Sequence, residues 1–126
     1  MNHKKLSLAL KANALFSVIN GIAMLIFHEQ IAAYMNIPFP KILMGIGIIL
    51  LGFAFLVYKT ASAATISEKM VKFIILQDWL WVIGSVLIIV FQAFGINRIG
   101  FIVIGVVALI VADFAIFQQR YLKMAI

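Results

Sequence analysis

Two aspartates are the residues of this sequence with the clearest chemical potential, because each lies inside a long apolar segment. Asp78 lies near the start of one such segment, and Asp113 lies near the end of another. An ionisable side chain in hydrocarbon costs several kcal/mol on insertion scales, so it usually faces protein or water. Two such carboxyl groups predict either the handling of protons or cations, or a buried polar network.

Three further polar residues fall at a similar depth on the neighbouring segments. Lys11 and Asn13 lie in the first apolar segment, and Tyr58 ends the second. Together with Asp78 and Asp113 they predict one polar layer, to which four helices contribute. Two interpretations stay open. The layer is either a cavity that binds a ligand, a proton or a cation, or a structural network in which Lys11 pairs with an aspartate.

Helical spacing extends the polar layer into a stripe. Residues that are seven apart lie nearly over one another on one face of a helix. This spacing and the i, i+4, i+7 pattern lead from Asp78 and Asn13 to further polar residues. The members of this secondary polar stripe are Ser17, Asn20, Ser85 and Gln92.

The same spacing predicts the inward faces of the other two segments. Gly45 and Gly52 are seven apart in the second segment, and Asp113 precedes Arg120 by seven in the fourth. Small residues let membrane helices approach closely. We therefore expect the two glycines to form a helix contact, and Asp113 to face the interior.

Two tryptophans lie close to Asp78 in the third apolar segment. Trp79 follows it directly, and Trp81 lies one helical turn further on. Indole rings are common at membrane interfaces, where they act as anchors. A ring can also stack over a cationic substrate. The sequence favours interfacial anchoring for both rings.

Four apolar segments position these residues, and each is close to the ~20 residues that a helix needs to cross a bilayer. They cover about residues 6–27, 42–58, 73–94 and 99–117. A membrane-spanning barrel would instead show shorter segments of alternating polarity. The fold that we predict is all-α: a four-helix antiparallel transmembrane bundle in a single domain over residues 1–126, with sequential helices packed together through short turns.

Composition and charge agree with a membrane location. Of the 126 residues, 66% are hydrophobic and 11% are charged, against roughly 25% charged residues in an ordinary soluble domain. The net charge of +6 comes from basic residues between the apolar segments, so it does not indicate nucleic acid. Eight of the ten Lys and Arg residues fall on the side of the two termini, whereas Lys41 and Arg98 fall on the other side. The positive-inside rule therefore predicts cytoplasmic termini in a multi-pass membrane protein.

Several classes of site are missing from the sequence. It contains no Cys, and His3 and His28 stand far from each other. A structural zinc site needs about four ligands and a catalytic zinc site about three. We find no nucleophile with an evident base and no Gly-rich loop that would bind a phosphate. The prediction is therefore no metal, no cofactor, no catalytic residue and no enzymatic activity.

Three stretches of the sequence carry a resemblance. They are residues 13–17 with Asn20 and Gly21, residues 78–85, and residues 111–115. In these stretches the chain resembles a family of small four-helix bacterial integral membrane proteins of uncharacterised function. The resemblance implies the same fold over nearly the whole chain and a place in the bacterial cytoplasmic membrane, and it implies no activity.

Two functions from different classes follow. The first is a membrane protein without catalytic machinery, either an accessory subunit or a bundle that binds a lipid or another hydrophobic ligand. The alternative is a small homo-oligomeric transporter or channel, in which the intramembrane aspartates handle a proton or a cation. The predicted partners are membrane lipids, further copies of the chain or a larger membrane complex, and not nucleic acid.

Overall fold

The computed structural model describes residues 2–125, and all regular secondary structure in that range is helical. Four helices are long, and one short helix and one 3-10 turn lie in the connections. The elements are α1 (Asn2–Ile26), α2 (His28–Met35), α3 (Pro40–Ser62), α4 (Glu68–Val90), a 3-10 turn (Ala93–Gly95) and α5 (Arg98–Ala125).

The four long helices of the described residues are each long and apolar enough to cross a membrane. The shortest of them have 23 residues, which correspond to about 35 Å at a rise of 1.5 Å per residue. This confirms the prediction of an all-helical chain with four membrane-compatible segments, and it indicates a multi-pass membrane protein. The fourth segment is longer than predicted, because α5 continues through polar residues to Ala125.

The packing of the helices leaves two consecutive long helices nearly apart. α1 packs along α3 and also contacts α5, and α5 packs along α4. The consecutive helices α3 and α4 hardly touch each other, which differs from the prediction that all sequential helices pack together. Each of them is held by another partner, and the connection over residues 63–67 bridges the gap between them.

One end of the bundle has a continuous apolar core. Residues of all four long helices contribute to it, and Ser7 Oγ of α1 donates a hydrogen bond of 2.9 Å to the carbonyl oxygen of Ala61 in α3. The buried residues of this core are Leu6, Leu10, Ala14, Val57, Ala61, Val71, Ile74, Ile75 and Leu122. The end of α3 and the start of α4 are thus joined through this core.

The opposite end is closed by hydrogen bonds between α2 and the turn that precedes α5. Asn97 donates to α2 twice: its backbone N–H bonds the carbonyl oxygen of Met35 at 3.0 Å, and its Nδ2 bonds that of Tyr34 at 2.7 Å. Asn97 also caps α5, because its Oδ1 accepts from the N–H of Gly100 at 2.8 Å. These bonds fix the start of α5 beside the end of α2.

α1 and α3 approach each other closely at Gly21 and Gly47. A Cβ atom on Gly47 would lie 2.7 Å from the carbonyl oxygen of Gly21. The prediction that Gly45 and Gly52 make the helix contact is wrong, because a Cβ atom on either would meet nothing within 4 Å. Gly47 lies two residues after Gly45, which is a rotation of about 200° around the helix.

Candidate functional site

Three polar side chains from three helices form a hydrogen-bonded triad inside the bundle. They are Asn13 of α1, Asp78 of α4 and Gln118 of α5. Asp78 Oδ2 accepts from Asn13 Nδ2 at 2.9 Å and from Gln118 Nε2 at 2.8 Å. Asn13 Nδ2 also donates to Gln118 Oε1 at 2.9 Å. Each member of the triad therefore contacts the other two.

The triad is almost completely shielded from the surroundings. The exposed fractions are 1% for Asn13, 3% for Asp78 and 0% for Gln118. Buried polar groups are normally hydrogen-bonded. Here the side-chain amides of Asn13 and Gln118 both donate a hydrogen bond to one carboxyl oxygen of Asp78. Among the described residues, no Lys or Arg forms an ion pair with Asp78; the basic residue in an ion pair is Lys72, which binds Glu68 at 2.9 Å.

The structure brings together only part of the predicted polar layer. Asn13 and Asp78 meet directly, but Lys11, Tyr58 and Asp113 are exposed on the outside of the bundle. The prediction of a common layer is wrong for these three residues. Depth along a helix does not determine which way a side chain points. Lys11, for example, is rotated by about 200° from Asn13 because it lies two positions before it in the helix.

Asp113 illustrates this difference on α5. It is five residues before Gln118, so the two side chains point about 140° apart. The stripe from Asp113 to Arg120 is exposed, and the prediction that it faces inward is wrong. The buried face of α5 carries Gly100, Ala108, Val111, Ala115, Gln118 and Leu122.

Gln118 was not predicted as a site residue. The fourth apolar segment was expected to end at residue 117, which placed this glutamine in a polar tail. A signal was nevertheless present, because Gln118 follows Val111 by seven residues and Ala115 by three. Those positions share one helix face, and the face of small and apolar residues is the buried one.

The two serines of the secondary polar stripe are buried. Ser17 and Ser85 are 5% and 7% exposed, and Ser85 Oγ donates to the carbonyl oxygen of Trp81 at 2.8 Å. Asn20 is half-buried and donates to the carbonyl oxygen of Phe16 at 2.8 Å. Gln92 lies elsewhere: it is exposed and follows the end of α4 in a left-handed conformation, with φ 48°. Its prediction as an inward residue is wrong.

A cavity of about 110 Å³ lies beside the triad, and it is open on one side. All four long helices line it, including α3 and α4, which hardly contact each other. We call this space the α3–α4 cleft. Its polar lining consists of Asn13, Ser17, Asn20, Gln77 and Asp78, and its aromatic lining consists of Phe16, Phe53 and Trp81. Two members of the triad, Asn13 and Asp78, and two residues of the polar stripe, Ser17 and Asn20, thus face one space.

Trp81 carries an unpaired polar atom in this lining. Its indole Nε1 is buried and has no hydrogen-bond partner among the described residues. Trp79 takes a different place and packs, partly buried, against the apolar core. Interfacial anchoring therefore does not describe the position of Trp81, which lines the cleft one helical turn from Asp78.

The site offers no arrangement typical of a metal centre. Among residues 2–125, no three His, Cys, Asp or Glu side chains come close enough together to hold one ion. That the protein works without a metal stays a prediction. What the cleft does offer is one carboxyl group, several amides and hydroxyls, and aromatic walls.

No family model matches this chain, and no curated protein or solved structure matches it either. The resemblance to small bacterial membrane proteins therefore stays a prediction. The chain has the four long apolar helices of a small membrane protein, and its function has to be inferred from the cleft itself.

Proposed function

We propose that this protein is a non-enzymatic membrane protein that binds a lipid or another hydrophobic ligand in the α3–α4 cleft. The observation that carries the proposal is the open cavity of about 110 Å³, which is lined by all four long helices. We favour ligand binding over the role of an accessory subunit because the cleft lies within one copy of the chain.

The orientation that we propose has both termini in the cytoplasm of a bacterium, with the four helices crossing its cytoplasmic membrane in antiparallel order. The excess of Lys and Arg on the side of the termini supports this orientation. The bond from Ser7 to Ala61 supports the antiparallel order, since it joins the start of α1 to the end of α3. The cleft then opens sideways at the depth of the lipid chains.

Access from the membrane follows from the packing. Because α3 and α4 hardly touch, no helix closes the cleft on that side. Ile49 of α3 lines the cleft and is nevertheless 70% exposed, so it stands at the rim. Ligand pockets are usually lined by apolar and aromatic side chains with a few polar groups that fix the orientation. The α3–α4 cleft has this composition.

Filling the cleft should abolish ligand access. Val107 of α5 lines the cleft, whereas the adjacent Val106 is 51% exposed on the outer face. We expect Val107→Phe to block entry and Val106→Phe to leave it unchanged. The measurement uses the Trp79→Phe background, in which Trp81 is the remaining tryptophan, in nanodiscs whose lipid chains carry bromine. Lipid chains that enter the cleft quench Trp81 fluorescence.

The matched pair separates entry into the cleft from general contact with lipid. Val107→Phe should relieve most of the quenching, and Val106→Phe should retain it. Equal quenching in the parent and in both variants would contradict the proposal, because Trp81 would then meet lipid without the cleft.

A second candidate function, the homo-oligomeric transporter or channel, is favoured by the position of Asp113. This carboxyl group is exposed on the outer face of α5, at a depth where apolar residues surround it in the sequence. An ionisable group at membrane depth usually faces protein or water. A second copy of the chain at this face would supply both a partner for Asp113 and the room that a pathway needs.

Asp113→Ala should then weaken the oligomer. Native mass spectrometry from nanodiscs would report the parent as an oligomer and the variant as a monomer, since the variant loses the polar contact between copies. Ile19→Ala on α1, which is also an exposed residue, is the control and should keep the parent's state. A monomeric parent would exclude this second function.

A further inference from the structure

We propose that the ligand of the α3–α4 cleft is a lipophilic amine. Its ammonium group binds the carboxylate of Asp78, its apolar part lies against Phe16, Phe53 and Trp81, and a hydrogen-bond acceptor next to the ammonium receives the indole N–H of Trp81. This inference rests on the proposed function, and it specifies the chemical class of the ligand.

The first argument is the charge of the triad. Asp78 uses Oδ2 for the two amide bonds, and Oδ1 has no hydrogen-bond partner among the described residues. The amides are neutral, and within residues 2–125 the carboxylate has no cationic partner. A buried charge without a counter-charge is costly in a low dielectric. An ammonium ion at Oδ1 would remove that cost and add a charge-assisted hydrogen bond.

The second argument is the aromatic lining. Phe16, Phe53 and Trp81 come from three different helices and line the cleft together with Asp78. Cations are attracted to the faces of aromatic rings, most strongly to that of Trp. Phe16 is also held by Phe114 in a tilted ring pair, with centroids 5.6 Å apart. A carboxylate beside aromatic walls is therefore suited to an organic cation, and the same walls suit the apolar part of its molecule.

The third argument is the unpaired indole. Trp81 Nε1 is buried without a partner in the described part of the chain, and a buried N–H that makes no hydrogen bond is destabilising. Trp81 and Asp78 are three residues apart on α4, so their side chains lie on one face. One ligand can thus meet both groups if it carries a donor and an acceptor a few bonds apart.

Size limits the part of the ligand that is enclosed. The cavity of about 110 Å³ is somewhat smaller than the engineered apolar cavity of ~150 Å³ that binds benzene. It therefore accommodates an ammonium group with its adjoining carbons. The remainder of the molecule extends through the open side, where lipid chains surround it.

Three probes of nearly the same shape test the inference. They are 2-phenoxyethylamine, 3-phenylpropylamine, which has a methylene in place of the ether oxygen, and butylbenzene, which has a methyl group in place of the ammonium. Binding is measured as protection of Trp81 from brominated lipid in the Trp79→Phe background. The Val107→Phe variant serves as the blank for each probe.

We expect 3-phenylpropylamine to bind about 10-fold or more tightly than butylbenzene, because hydrogen bonds to charged groups are the strong ones. We expect a further gain of about 2- to 10-fold for 2-phenoxyethylamine, because its ether oxygen accepts from Trp81. Asp78→Asn should remove the advantage of the amines and leave butylbenzene unchanged. The matched control is Asp113→Asn, which changes the other intramembrane carboxyl group and should have no effect.

The outcomes distinguish the inference from the function on which it rests. Equal affinity of the parent for butylbenzene and 3-phenylpropylamine would overturn the amine ligand while the hydrophobic cleft stands. This comparison needs no variant of Asp78, so it holds even if Asp78→Asn fails to fold. Equal affinity for the two amines would overturn the role of Trp81. If no probe protects Trp81 in the parent beyond the Val107→Phe blank, the proposed function itself fails.

Discussion

Gly47→Ala is expected to lower the stability of the bundle by about 1–3 kcal/mol, the usual cost of forcing extra atoms into a packed interface. The new Cβ atom would lie 2.7 Å from the carbonyl oxygen of Gly21, 3.1 Å from the backbone nitrogen of Leu25 and 3.2 Å from Cβ of Met24. Two of these three atoms belong to the backbone of α1, which cannot move aside as a flexible side chain can. The variant has to separate α1 from α3 instead.

The control for this prediction is Gly45→Ala on the same helix. A Cβ atom at Gly45 would meet nothing within 4 Å, so the same substitution should have little effect there. Unfolding by SDS in mixed micelles, followed by circular dichroism, would report both midpoints. A Gly47→Ala midpoint equal to that of Gly45→Ala would show that α1 and α3 do not approach as closely as the structure indicates.

The contrast between these glycines shows what the sequence could predict about the fold. Hydropathy and length were sufficient to predict four membrane-compatible helices, because a segment that crosses lipid has to be apolar along its whole length. The face by which α3 packs was not predicted. Gly45 and Gly52 share one face and Gly47 lies on another, but the segment is apolar all round, so no polar side of the helix indicates which face is inward.

The site was predictable to the extent that polarity alone decides burial. Asn13 and Asp78 are both members of the predicted polar layer, and they are hydrogen-bonded. Lys11 and Asp113 are also polar and lie at a similar depth in the sequence, yet they are exposed. Their rotation around the helix axis depends on which helices are neighbours, and the open side between α3 and α4 was not predicted. The cleft exists because α3 and α4 hardly contact each other.

Gln118→Met is the second substitution for which we expect a large effect. Methionine has nearly the length of glutamine but cannot form the bonds to Asn13 and Asp78. One N–H of Asn13 would lose its acceptor, and the carboxyl oxygen Oδ2 would keep only one donor. Each buried polar group without a partner costs about 1–3 kcal/mol, and more if it is charged. A methionine that packs equally well cannot offset this loss, because both partners remain buried.

Gln119→Met provides the comparison, because Gln119 is the adjacent residue and is exposed. Both variants undergo the same chemical change, so a difference between their SDS unfolding midpoints measures what the position of Gln118 contributes. We expect Gln119→Met to unfold at the same SDS content as the parent and Gln118→Met to unfold at a clearly lower SDS content. Equal midpoints would mean that Asn13 and Asp78 find other partners, and that the triad does not hold α1, α4 and α5 together. A clear difference would show that the triad holds the three helices together, and that Asp78 keeps its place through its bonds to Asn13 and Gln118.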